Sequence, residues 1–229
     1  ALLLNDFAFR TSSPFIDAPA GVPIKVSIAP SNSASVADSI AVFNYNLASR
    51  ETCVLVAEGI VSTSGYSPGT PFDIAVYGLG REAANVTGNT DVLVHHGATD
   101  APAVDVVETG AGAGAIVTNA SYGDFAGYLE LPTADYVLEV RPTGAATAVA
   151  SYDAPLATLG LQDAALVAVA SGFLDPTQNS NGPAFGVYVA LPTGGPLVAL
   201  PNSTARLQVI HNSADAAATT VDVYLNGGL

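Results

Sequence analysis

The chain has 229 residues, 49% of them hydrophobic and only 11% charged, with six Lys and Arg against 20 Asp and Glu and a formal net charge of −14. So acidic a surface, with Lys25 as its single lysine, excludes nucleic acid and anionic lipid as partners, because binding them needs clustered Lys and Arg; it reads as a solubility device. The length is ample for two cores, no apolar run approaches the roughly 18 residues of a membrane span, and the lone Cys53, set in an apolar run, leaves no internal disulfide and reads as a small buried hydrophobe.

In chain order the signals are those of short strands. Ile24-Lys-Val-Ser-Ile28 alternates inward and outward faces with period two. Val54–Val61 is a continuous apolar run bounded by turn residues, as expected for a buried central strand, and Ile74-Ala-Val-Tyr77 follows it. A polar stretch, Leu79–Thr90, reads as a linker. Asp91–His96 and Val104–Val107 come next, separated by a turn, then Tyr128–Pro132 and the alternating Tyr136-Val-Leu-Glu-Val140. Leu166–Leu174 is a second continuous apolar run, Phe185–Val189 a further strand, and Pro201–Thr204 a second linker. Gly and Pro, 22 and 15 in number, punctuate the chain every ten or so positions. Short strands at that spacing predict an all-β protein of two antiparallel, Ig-like β-sandwiches with little or no helix.

An internal repeat fixes the organisation. Phe9, Phe15, Pro19, Gly59 and Phe72 recur 113 residues later as Tyr122, Tyr128, Pro132, Gly172 and Phe185. The tail repeats the middle: Arg206-Leu-Gln-Val-Ile-His211-Asn-Ser-Ala-Asp215 matches Asp91-Val-Leu-Val-His-His96-Gly-Ala-Thr-Asp100, and Val221-Asp222-Val223 matches Val104-Asp105-Val106. Each unit is about 115 residues. Unit B is whole, over 90–204. Unit A is split: residues 1–89 hold most of it, and its first strands lie at 205–229. The tail is therefore expected to complete unit A of an adjacent copy, head to tail. The expected joint comprises Leu207, Val209, His211, Val221, Val223, Leu225, Asn226, Gly227 and Leu229 with Ala1, Leu2, Leu3 and Leu4. Asn226-Gly227 is a hairpin-turn pair that needs a return strand, which Leu2-Leu3-Leu4 of a following copy would supply. Covalent tandem repetition and strand donation between subunits both satisfy this, and immediate continuation after Asn-Gly favours the covalent array.

The run His96-Gly-Ala-Thr-Asp100-Ala-Pro102-Ala-Val-Asp105-Val, with Tyr122-Gly-Asp-Phe125 and Tyr128-Leu-Glu-Leu-Pro132, resembles the bacterial domain-of-unknown-function family 4397. The resemblance implies a secreted, often tandem, all-β module without an assigned catalytic residue. Unit A fits the pattern only when tail and head are joined; there Ala217 replaces the signature proline and two residues are inserted.

Candidate chemistry is thin. His96 and His211 each precede an aspartate by four residues; a metal would need further ligands, and a strand-end His bonded to the turn aspartate is the expected role. Asp105 and Asp222 read as outward carboxylates or turn-binding partners. Gly65-Tyr-Ser67-Pro-Gly69 fits a nucleophile-elbow pattern but is followed by Pro71 and a strand rather than a helix, so it reads as a loop. Gly110–Gly114 opens no helix and reads as a hairpin loop, not a phosphate cradle. Asp175–Gly182 resembles a calcium loop, but Tyr188 stands where an EF-hand needs its closing acid; a weak calcium site in a β-loop stays open. The sequons at Asn85, Asn119 and Asn202 decide nothing. The expectation is a non-enzymatic, cofactor-free structural unit of an extracellular or cell-surface fibre or stalk, whose partners are copies of itself, with no nucleic acid and no membrane insertion. The alternative is a secreted, adhesin-like module that binds glycan or a surface partner through loops.

Overall fold

A computed structural model describes residues 2–204 and 206–224. The protein is all-β; its only helical pieces among the described residues are short 3-10 turns at Val36–Asp38, Pro176–Gln178 and Ala216–Ala218.

Unit A carries β1 (Thr11–Ser12), β2 (Pro23–Ile28), β3 (Ala41–Asn46), β4 (Val54–Glu58) and β5 (Asp73–Tyr77). Two hairpins result, β2–β3 and β4–β5. In β2 the apolar members Ile24, Val26 and Ile28 share one face, opposite Tyr45, Phe43 and Ala41 of β3, as a period-two pattern dictates.

Unit B carries β6 (Asn89–His96), β7 (Val104–Glu108), β8 (Gly114–Ala120), β9 (Phe125–Pro132), β10 (Asp135–Pro142), β11 (Ala150–Pro155), β12 (Ala165–Ser171), β13 (Gly186–Ala190), β14 (Gly195–Pro196) and β15 (Val198–Ala199). A five-stranded sheet, β15-β13-β12-β6-β9, packs on a four-stranded one, β11-β10-β7-β8. Between them lies a core built on Val92, Tyr136, Val140, Tyr152, Leu166 and Val189. The expected purely antiparallel sandwich is corrected in one place: β6 and β12 run parallel, Val92 opposite Leu166. Parallel neighbours need a long crossover, and the chain between β6 and β12 supplies it by building the second sheet. The stretch read as a linker also ends differently, since Asn89 and Thr90 already belong to β6.

The repeat is visible in the registers. Val56 pairs with Ala75 in unit A and Val169 with Tyr188 in unit B, each residue 113 positions from its counterpart. The bridges Ile60–Pro71 and Phe173–Ala184 keep the same spacing. Along β2 the offset becomes 112, because unit A has one more residue between Pro19 and Ile24 than unit B has between Pro132 and Tyr136.

Candidate functional site

Among the described residues, unit A has the hairpins of a sandwich without the strands that would join them. In unit B, β12 lies between β13 and β6, and β10 between β11 and β7. Their counterparts β4 and β2 each have one neighbour among the described residues, β5 and β3. The core reflects this. Of the buried apolar side chains among the described residues, Ile74 alone comes from unit A. Leu2, Leu3, Phe7, Phe9, Phe15 and Ile16 are exposed, and two sheet edges stand open, a template for pairing with another chain.

The strands unit A lacks have their sequence counterparts in the tail. Residues 206–224 form no strand. Leu207 is 65% exposed, Val209 57%, Val221 50% and Val223 63%. His211 Nε2 donates to Ala218 O, 2.6 Å away, across a turn that Asp215 caps by accepting from the Ala217 amide. Of the expected joint, Ala1, Leu225, Asn226, Gly227 and Leu229 lie outside the described residues.

The two units meet face to face. Near the middle of the contact the Ser67 amide donates to Asn179 Oδ1 at 3.0 Å, the Ser180 hydroxyl donates to Gly65 O at 2.9 Å, and the Tyr66 ring lies 5.7 Å from Phe173. Asn179 and Ser180 are the repeat counterparts of Tyr66 and Ser67, so a loop meets its own equivalent. Flanking contacts are reciprocal. Arg10 binds Ser171 and the Ala184 carbonyl, at 3.1 and 2.9 Å from Nη2, and its guanidinium lies over Tyr188. On the other side Gly123, the counterpart of Arg10, lies beside Glu58, the counterpart of Ser171. Self-meeting at the centre and reciprocity at the flanks are the marks of a twofold, isologous contact.

The polar groups in this contact pair with one another. Glu58 Oε2 lies 2.9 Å from Nε2 of the fully buried His95, whose ring stacks on Phe125 at 4.3 Å. Tyr122, close by, has its hydroxyl pKa raised by burial first and by the Glu58 and Asp73 carboxylates next. Arg81 bridges Asp91, which is buried, and Glu130, which is exposed, at 2.5 and 2.7 Å, and lies over the Tyr128 ring. Arg10, Glu58 and Arg81 escape a motif reading, although an arginine in a chain with six cations is itself a cue that a partner awaits it.

The expected histidine role is corrected. His96 Nε2 meets the Pro102 carbonyl at 3.1 Å, not Asp100. Asp100 instead accepts the Leu174 and Asp175 amides and Asn179 Nδ2, which ties down the loop with the calcium-like sequence. Asp105 does bind turns: it accepts the Asn119 and Gly144 amides, and those bonds hold its pKa below the usual carboxylate value. Glu108 closes the Gly110–Gly114 hairpin by accepting from Ala111 and Ala113. No group of three or more metal-ligating side chains assembles among the described residues. Ser67 lies in the inter-unit loop with its amide engaged, and β5 follows it. The cavity of about 100 Å³ between the sheets of unit B is lined almost wholly by aliphatic and aromatic side chains.

The model of the family described as Domain of unknown function (DUF4397) matches residues 90–224. The chain belongs to this family. No curated protein and no solved structure matches it. The DUF4397 match begins within β6, spans unit B and continues over 206–224, the segment whose sequence resembles that of β6 and β7.

Proposed function

We propose that the chain is a structural unit of an extracellular fibre or stalk, assembled end to end. Unit A of each copy is completed by the 206–224 segment of its neighbour. The observation that carries this reading is one of matched deficits. Unit A has two open sheets, and the same chain exposes a segment whose sequence counterparts, β6 and β7, hold the core of unit B together. Each fully buried Val or Leu contributes roughly 1.5–3 kcal/mol. Four of them, Leu207, Val209, Val221 and Val223, would make a strong joint even at partial burial. Main-chain hydrogen bonds along an added strand give the pairing its direction, as in other strand-addition assemblies.

On this reading the protein is no enzyme and needs no cofactor, and its partners are copies of itself. A net charge of −14 keeps such a polymer soluble and away from nucleic acid, and no membrane insertion is involved. Covalent repetition and strand donation are two routes to the same joint. Electron microscopy of the purified protein should show fibres, and denaturing mass analysis separates the routes: a species near 22.9 kDa means donated strands, a much larger chain an array. A dispersed monomer whose tail packs into its own unit A would overturn the proposal.

A further inference from the structure

We infer that the incoming segment enters unit A in one defined register: Arg206–His211 lies parallel to β4 with Leu207 beside Cys53, and Arg206 faces Asp17. The inference rests on the fibre reading and adds the address within it.

Unit B supplies the template. There β6 runs parallel to β12, Val92 beside Leu166, and antiparallel to β9, Asp91 opposite Glu130. The tail counterpart of Val92 is Leu207, that of Leu166 is Cys53, and those of Asp91 and Glu130 are Arg206 and Asp17. Val92 and Leu166 are both core side chains, so Leu207 and Cys53 would share the inner face.

The charges argue for this register independently. In unit B two acids stand opposite each other and Arg81, reaching in from outside the pair, neutralises both. The counterpart of Arg81 is Gly194, which carries no charge. In the tail, Asp91 is replaced by Arg206, while the opposing acid is kept as Asp17. The positive charge has moved into the strand itself, where a directly opposed acid meets it. Opposite charges in facing cross-strand positions stabilise, and like charges destabilise. Shifting the register by one residue would lose this pair and turn Leu207 and Val209 outward.

The second sheet agrees. In unit B, Val106 stands between Val140 of β10 and Val117 of β8. The counterparts place Val223 between Ile28 and Leu4. Asp105 accepts the amide of Asn119, whose φ is +52°, and the counterpart of Asn119, Asp6, already holds φ +50°. Asp222 would accept that amide in the joined unit.

Cys53, the single cysteine, makes the test direct. Leu207→Cys, oxidised and run under non-reducing denaturing conditions, should give a ladder of chain multiples that collapses on reduction. Gln208→Cys and Val209→Cys should not. A ladder from either of those instead, or fibres in which no variant cross-links, overturns the register and leaves the fibre reading standing. A link between position 207 and Cys53 of the same 229-residue copy overturns both. A charge swap is read in parallel, by assembly rate. Arg206→Glu and Asp17→Arg should each slow assembly, and the double variant should restore it; two additive losses would overturn the Arg206–Asp17 pairing.

Discussion

Gly59 and Gly172 occupy the same place in the two units. Each follows the inner strand of its hairpin at positive φ, +75° and +89°, and each is pressed against a carbonyl, that of Pro71 in unit A and of Ala184 in unit B. No side chain fits there: a Cβ would collide with the backbone, and the left-handed conformation penalises it further. At Gly172 the same Cβ would also meet the Arg10 guanidinium at 2.6 Å.

Gly172→Ala should therefore destabilise unit B by roughly 2–4 kcal/mol, combining backbone strain and overpacking. It should also release Arg10. Denaturant melts give the first number. Hydrogen exchange at the Leu197 amide, which donates to Arg10 O, reads the second and should quicken relative to the core.

Glu58→Ala removes the partner of a fully buried histidine ring, His95. A buried group left unpaired costs about 1–3 kcal/mol. That loss should fall on the docking of unit A against unit B rather than on the unit B core. Limited proteolysis within unit A should accelerate, while protection of β12 amides stays near that of the parent. Equal loosening of both would argue against a role at the contact.

His96→Gln should cost about 0.5–1.5 kcal/mol, one hydrogen bond to the Pro102 carbonyl. The His211→Gln variant should change assembly little. Elemental analysis of the parent protein is expected to find no stoichiometric zinc.

Acid should weaken unit B. Asp105, Asp135, Asp175 and Glu108 are all held below their ordinary values; backbone amides bind Asp105, Thr158 binds Asp135 and Thr177 binds Asp175. For Glu108 burial pushes upward, and the amides of Ala113, Ala111 and Gly110 outweigh it. A depressed folded pKa means the unfolded chain binds more protons, so stability is complete above the unfolded value, about 4, and is lost as pH falls through the folded values. Melts between pH 6 and 2 should show this, with Asp105→Asn flattening the acid limb.

The sequence by itself determined the all-β class and the 113-residue correspondence between hairpins. Alternation in Ile24–Ile28 marks which side chains face inward, and the recurrence of Gly59 as Gly172 marks which hairpins are equivalent. The first is a property of neighbours along the chain and the second of a recurrence in it, and neither depends on what touches what. Which strand lies beside which is decided between distant residues. Period two assigns a face but names no neighbour, so the parallel pairing of β6 with β12 could not be read from it. The same holds for Glu58 against His95, Arg10 over Tyr188 and Arg81 between Asp91 and Glu130. Each is a polar group whose partner comes from another strand or the other unit, and only packing brings them together. The histidine motif shows the boundary. Its spacing suggests a bond from His96 to Asp100, but the fold turns Asp100 onto the amides of Leu174 and Asp175, 74 and 75 residues away along the chain, a distance at which local spacing carries no information.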